Sequence, residues 1–322
     1  MAKKKETENG KLVTQLTAMQ EQKDLVNEKL EMEKRTHRTE LPVPKGKLLA
    51  IGGKESKSTE KETETQANNI DFIAEQILQR FLDELKGSNP LILVVPTAST
   101  EPEEAAKDYV KLFRQLDQKN IEVLNIKVRT DAFDTENLKL VERAAGIIFT
   151  GGDQLRLTAI LGGTPLLQLM KQRYTYDEII IAGTSAGATA LSTPMIYEGE
   201  TQGGMLKGDV RITTGLEFLK NVAIDTHFIA RGRIVRMAQC IATNPGCIGI
   251  GIEEDTAILV TDGNQVEVVG SGLVTVVDGT GISKSTIHEI KTGQPFTVCD
   301  LKVHLAADTE TFKIPFYEML HA

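Results

Sequence analysis

Apolar positions follow two alternating rhythms along most of this chain. Residues 48–51, 91–95, 121–126 and 146–150 are short runs dominated by Leu, Ile and Val, and residues 179–181 are all isoleucine. Runs of this kind predict strands buried on both faces. Between them, Ile70, Ile73, Ile77, Leu78, Phe81 and Leu85 recur at helical spacing, and helices are predicted over about 103–116 and around 138–145. The alternation predicts an α/β fold, a three-layer α/β/α sandwich with a mainly parallel sheet, whose ligands bind at the carboxyl ends of the strands. Further strands are predicted at 221–228 and 248–252, with a helix from about 233 between them. After residue 257 the character changes: Asp262-Gly263-Asn264 reads as a hairpin turn, and 266–269, 273–277, 286–290 and 299–303 as strands. This is a β-rich extension of the same domain. Residues 1–45 break the pattern, being rich in Lys, Glu and Gln and ending at Pro42-Val43-Pro44. Leu12, Leu16, Met19, Val26 and Leu30 fit an amphipathic helix or a weak coiled coil interrupted by Lys23, and a solvated tail fits them as well. The predicted organisation is an arm, 1–45, and a single α/β domain, 46–322.

Composition narrows the classes. A chain that is 40% hydrophobic and 25% charged is that of a globular protein with a sizeable core. A net charge of -8 argues against nucleic acid or an anionic membrane as partner. The three cysteines, Cys240, Cys247 and Cys299, are odd in number and not spaced as metal ligands, so free thiols in a reducing compartment are expected. No metal or cofactor is implied. No run approaches the roughly 18 apolar residues of a membrane span, and the basic N-terminus lacks the apolar stretch of a signal peptide. A cytoplasmic location is expected.

Candidate chemistry gathers at strand ends. Residues 179–181 lead into Gly183-Thr184-Ser185-Ala186-Gly187, a G-x-S-x-G pattern between a strand and helix-compatible small residues. Such a turn presents the serine hydroxyl at the sheet edge and needs glycines where a Cβ would strike neighbouring backbone. A helix N-terminus beside the hydroxyl favours developing negative charge. Ser185 is therefore a candidate nucleophile, although small residues here also allow simple close packing. Thr150-Gly151-Gly152-Asp153-Gln154 follows another strand, and the N–H of Gly152 or Asp153 could join that of Ala186 in a two-donor oxyanion hole. A tight turn or a phosphate-binding turn reads equally well. Asp225-Thr226-His227 closes a predicted strand, and of the five histidines His227 is the one placed as a general base. His37 lies in the arm, His321 near the C-terminus, and His288 and His304 in predicted strands of the extension. Arg231, Arg233 and Arg236 follow at once, a carboxylate clamp or a solvated helix end. Glu253-Glu254-Asp255 ends the strand at 248–252, and one of these acids would orient the imidazole.

Taken together, these residues resemble the cyanophycinase branch of the serine peptidase family that also contains aspartyl dipeptidases. The likeness runs from about Lys47 to the C-terminus. The order Ser, His, Glu differs from the Ser…Asp/Glu…His order of α/β-hydrolases, which disfavours a lipase-like esterase, and is similar to glutamine amidotransferases with serine in place of cysteine. The resemblance implies a glutamine amidotransferase-like fold and hydrolysis of cyanophycin, a poly-aspartate carrying arginine on its side chains, to β-Asp-Arg dipeptides. It also implies Ser185 as nucleophile, His227 as base, Glu254 rather than Glu253 as acid, and a homodimer. Gln154, Asp225, Thr226, Arg231, Arg233 and Arg236 match substrate-pocket positions. Arginines would then take substrate carboxylates and Asp225 a substrate guanidinium. Thr226 departs from the family pattern, which has glutamine before the histidine. The alternatives are an aspartyl or isoaspartyl dipeptidase of the same family and a non-catalytic binding or assembly protein using the N-terminal arm.

Overall fold

The computed structural model describes residues 42–55, Gln66, Asn69, Ile73, 75–199 and 204–314. The chain separates into two compact units, residues 1–42 and 43–322, and every element below belongs to the second. The helical reading of the N-terminal arm lies outside the described residues.

Five strands form the parallel heart of an eight-stranded sheet: β1 (Lys47–Ile51), β2 (Leu91–Val95), β3 (Ile121–Val123), β4 (Ala144–Phe149) and β5 (Ile180–Thr184). Their order is β1-β5-β4-β2-β3, with Ile51 level with Thr184 and Phe149 level with Gly183. Alternate residues of each strand enter different cores, which is why these runs carry no polar alternate. Leu49, Ile51, Ile92, Val94 and Ile180 pack with α1 (Gln76–Asp83) and α2 (Pro102–Gln115). Leu48, Leu93, Val95, Phe149 and Ile181 pack on the other side with α3 (Thr135–Arg143), α4 (Gln154–Leu161) and α5 (Pro165–Tyr176). The helices start where side chains satisfy free backbone N–H groups: Asp134 accepts from Glu136, Asp153 from Leu155 and Thr164 from Leu167. Deleting the Ile181 side chain to Ala, at 0% exposure, would cost about 2–5 kcal/mol.

Beyond β1 the sheet turns antiparallel through β12 (Thr256–Thr261), β13 (Gln265–Gly270) and β18 (Thr311–Lys313). The hairpin at Asp262-Gly263 joins the first two, as the sequence predicts. A second sheet of six strands is the unforeseen feature. It contains β6 (Ser192–Thr193), β9 (Leu219–Lys220), β10 (Val222–Thr226), β11 (Ile248–Ile252), β14 (Val274–Asp278) and β17 (Lys302–Ala306). One face of it, with Ile224, Ile250, Ile252 and Val274, joins the core that holds Phe149 and Ile181. Its other face receives Met237, Cys240 and Ile241 of α7 (Ile234–Thr243).

Several boundaries move. The helix predicted to include Ile73 begins at Gln76, leaving Ile73 exposed before it. The ladder at β3 closes after Val123, although Leu124 and Ile126 stay buried. Residues 286–290 form a turn rather than a strand, because the amides of Glu289 and Ile290 both return to the carbonyl of Thr286. His288 is therefore exposed in a turn, while His304 lies in β17. Among the described residues no helix is long and apolar enough to cross a membrane.

Candidate active site

The end of β1 ties the two sheets together. Three consecutive carbonyls, those of Ile51, Gly52 and Gly53, accept hydrogen bonds from the amides of Ser185, His227 and Asp255 at 2.9, 3.1 and 2.8 Å. Each of those amides lies just beyond a different strand or beside an acid that follows one. Each sits in left-handed backbone, with φ of 51° at Ser185, 48° at His227 and 47° at Asp255. Non-glycine residues seldom adopt that conformation, and it persists only where surrounding bonds over-determine it.

At Ser185 the G-x-S-x-G turn follows the sequence reading. A Cβ on Gly183 would lie 2.5 Å from the backbone of Gly187, and one on Gly187 would lie 2.5 Å from the carbonyl oxygen of Phe149. The strand runs on to Thr184, further than its isoleucines suggest, because Gly183 and Thr184 pair with Ala50 and Ile51. The following helix, α6 (Ala186–Ala190), has only five residues. Its dipole is correspondingly small, so the local N–H of Ala186 matters more than the helix as a whole.

Ser185 Oγ lies 3.0 Å from His227 Nε2, and His227 Nδ1 lies 2.8 Å from Glu254 Oε1. With its Nδ1 proton directed to Glu254, the imidazole leaves Nε2 to accept the serine proton. Burial lowers the pKa of His227 from its ordinary 6.5, outweighing the opposing pull of the Glu254 hydrogen bond, with Arg231 and Arg233 adding to the fall. The ring is thus neutral and basic near pH 7. Burial acts to raise the pKa of Glu254, but hydrogen bonds from Lys54 and His227 prevail and hold it below its ordinary value. Glu253 turns elsewhere, its Oε2 accepting from the amides of Ile229 and Ala230. Of the two glutamates, Glu254 is the one on the imidazole.

Four expectations change. The amide of Asp153 donates to the carbonyl of Ala98 at 2.9 Å, so it has no proton for an oxyanion; its carboxylate caps α4 instead. The turn at Gly151-Gly152 does abut Ser185, since a Cβ on Gly151 would lie 3.5 Å from that of Ser185. Asp225 is at 0% exposure, with its carboxylate held by Arg236 Nε at 2.6 Å and Arg233 Nη1 at 3.1 Å. Its carboxylate, which the resemblance assigns to a substrate guanidinium, is paired here with two guanidiniums of the chain itself. Arg233 and Arg236, both buried, are the two partners, so the arginines read as a clamp for substrate carboxylates pair with an acid of the chain. Desolvated guanidiniums require such a partner, and the carboxylate of Asp225 in β10 supplies it. Thr226 is also buried, its carbonyl accepting from Arg233 at 2.7 Å. Arg231 is exposed, and Gln154 is half-buried with its amide on the carbonyl of Ile196.

Sequence reasoning passed over three neighbours of the site. Gly53, at φ 100°, lies so close to His227 that a Cβ would come within 2.5 Å of the ring. Lys54 reaches both oxygens of Glu254, at 3.0 and 3.1 Å. Glu55, at 2% exposure, accepts from the hydroxyls of Tyr109 and Thr184, the residue before Ser185. The available signal was a Gly-Gly turn at the end of a first strand, a position where ligands gather in α/β sheets. Among the described residues no group of three His, Cys, Asp or Glu side chains is placed to hold a metal ion.

Comparison with known proteins adds a lineage to this geometry. Residues 67–268 match the model of peptidase family S51. A cyanophycinase of Synechococcus elongatus is 32% identical over 277 residues, 86% of this chain and 82% of that protein. A cyanophycinase of Geminocystis herdmanii is 33% identical over 258 residues, 80% of this chain and 90% of its own. The crystal structure of a peptidase from an acI-B1 actinobacterium superposes with a TM-score of 0.59 at 23% identity, covering 85% of this chain and 98% of its own. That likeness concerns the fold.

Proposed function

The chain belongs to peptidase family S51, and from that membership we propose that it is a serine-type cyanophycinase that cuts multi-arginyl poly-aspartate to β-Asp-Arg dipeptides through an acyl-enzyme. The observation that carries this reading is the unbroken run of hydrogen bonds from Ser185 through His227 to Glu254. His227 takes the hydroxyl proton as Ser185 Oγ attacks a backbone amide carbonyl of the substrate. The N–H groups of Ala186 and Gly152 receive the oxyanion. The imidazolium, balanced by Glu254, returns its proton to the leaving amine as the C–N bond breaks. Water then repeats the sequence and frees the acyl group. Arg231 and Gln154 are the polar side chains offered to substrate, while the Asp225–Arg233–Arg236 cluster holds the wall behind them. The family likeness supports a homodimer, the three free cysteines support a reducing, cytoplasmic setting, and the net charge of -8 supports a substrate other than nucleic acid or membrane.

One observation favours the second reading. With Asp225 committed internally, no acid at that position meets a substrate arginine, and this suits an aspartyl or isoaspartyl dipeptidase. The test sets cyanophycin granules beside small aspartyl and isoaspartyl peptides, with products weighed by mass spectrometry. Release of β-Asp-Arg from granules by the wild type and not by Ser185→Ala supports the first reading; turnover confined to the small peptides supports the second. If a serine-directed phosphonate fails to label Ser185 and neither substrate is cut, the serine mechanism falls.

A further inference from the structure

Glu254 is held from two sides. His227 occupies Oε1, and the Lys54 ammonium lies 3.0 Å from Oε1 and 3.1 Å from Oε2. Lys54 stands next to Gly53, the residue pressed against the imidazole, and it too is in left-handed backbone, at φ 47°. It lies outside the span, 67–268, that matches the family model.

We infer that Lys54 is a positioning residue of this site, clamping both carboxylate oxygens of Glu254 and so fixing how that acid meets His227 and how strongly it can stabilise an imidazolium. The inference rests on the Ser185–His227–Glu254 reading above. A buried carboxylate facing a single imidazole can swing, and its full charge draws a proton onto the ring. An ammonium on the far side restrains both tendencies. The other charges around the ring do not substitute for it. Arg231 and Arg233 approach from the chain after His227 and disfavour its protonation directly. Glu253 is turned onto the amides of Ile229 and Ala230, and Asp255 onto the hydroxyl of Ser271. Glu55 is buried on Tyr109 and Thr184, and Asp153 caps its own helix. Lys54 is the cation in contact with Glu254 among the described residues, and its side chain is 58% exposed, so removing it leaves the core untouched.

The experiment compares the full-length wild type with Lys54→Met, Lys54→Gln and Lys54→Arg. Two readings are taken: the pH dependence of kcat/KM, and NMR titration of the His227 imidazole, which needs no substrate. Loss of the ammonium strengthens the hold of Glu254 on imidazolium, so His227 should protonate at higher pH. The acid limb and the NMR midpoint should rise together by about half a pH unit, a shift modest because the ammonium is solvated. kcat/KM should fall by about two- to threefold at pH 6, with KM unchanged, which is what a half-unit shift allows, and Lys54→Arg should restore both readings. Coincident titration curves for the wild type, Lys54→Met and Lys54→Gln would overturn the inference. Its failure is separable from failure of the mechanism: an inert wild type that phosphonate does not label undoes the mechanism, whereas the NMR titration still decides whether Lys54 acts on His227 through Glu254.

Discussion

Gly53→Ala isolates what holds the imidazole in place. An added Cβ would lie 2.5 Å from His227 Cε1 and 2.6 Å from Nε2, where ordinary contact begins at 3.4 Å. The overlap is about 1 Å and includes Nε2, the ring atom that meets Ser185 Oγ. The ring must shift, and the shift disturbs the 2.8 Å bond at Nδ1 and the 3.0 Å approach of Nε2 to Ser185 Oγ together. A misplacement of about 1 Å in a reacting pair costs roughly 100-fold in rate. The backbone adds a separate cost of about 1–3 kcal/mol, because φ at Gly53 is 100° and alanine avoids that region. Gly87 supplies the control. Its φ is 102° and nothing lies within 4 Å of the Cβ it lacks, so Gly87→Ala carries the backbone strain without the collision. The assay is kcat/KM, or the rate of phosphonate labelling of Ser185, normalised to the folded fraction from thermal unfolding. Gly53→Ala should lose about 100-fold per folded molecule and Gly87→Ala almost nothing. Equal activities at equal folded fraction would refute the claim that Gly53 seats the base.

The other predictions separate roles that share one patch of structure. Asp225→Ala leaves two buried guanidiniums without their carboxylate and should cost about 3–5 kcal/mol in chemical denaturation, whereas an acid serving only the substrate would leave stability unchanged. Glu254→Gln should cut kcat by about four powers of ten with a native melting profile, while Glu253→Gln, whose carboxylate accepts from the Ile229 and Ala230 amides, should stay within about tenfold of wild type. His227 has its folded pKa below the ordinary 6.5, so the unfolded chain binds more protons between those two values and stability should rise with pH across that window. Glu254, depressed below its ordinary 4.5, contributes stability present above 4.5 and lost as pH falls through its folded pKa. A His227→Gln variant should flatten the first of these slopes in pH-dependent denaturation, and an unchanged slope would assign it to another group.

How much of this was legible in the chain depends on the range of the forces involved. The parallel strands and the G-x-S-x-G turn were readable because their signals are local: continuous apolar runs, and glycines where neighbouring backbone lies 2.5 Å from a missing Cβ. His227 was readable by its place after a strand. What the sequence could not weigh was pairing at a distance. Arg233 and Arg236 look like a substrate clamp until β10 turns Asp225 inward between them, and an exposed and a buried guanidinium have the same letter. The second sheet was hidden for a similar reason. The runs that make β10 and β11 are buried on both faces just as β4 and β5 are, so nothing local says that they pair in a different sheet.

That second sheet changes the meaning of the Gly52-Gly53 turn. Had Ser185, His227 and Glu254 followed neighbouring strands of one sheet, ladder register alone would have aligned them. Instead Ser185 follows a strand of one sheet and His227 and Glu254 follow strands of the other, and the β1 end must set their relation. It does so with backbone, since carbonyls 51, 52 and 53 take the three amides in turn. The approach must be close, because a Cβ on Gly52 would fall 1.8 Å from the carbonyl oxygen of Glu253. The left-handed conformations at Ser185, His227 and Asp255 are then a consequence of reaching those carbonyls, and the bonds so made are what hold them there. A site arranged this way transmits displacement of the β1 end directly into the Ser185–His227 distance, whereas substitutions at the antiparallel edge beyond β13 should leave that distance alone.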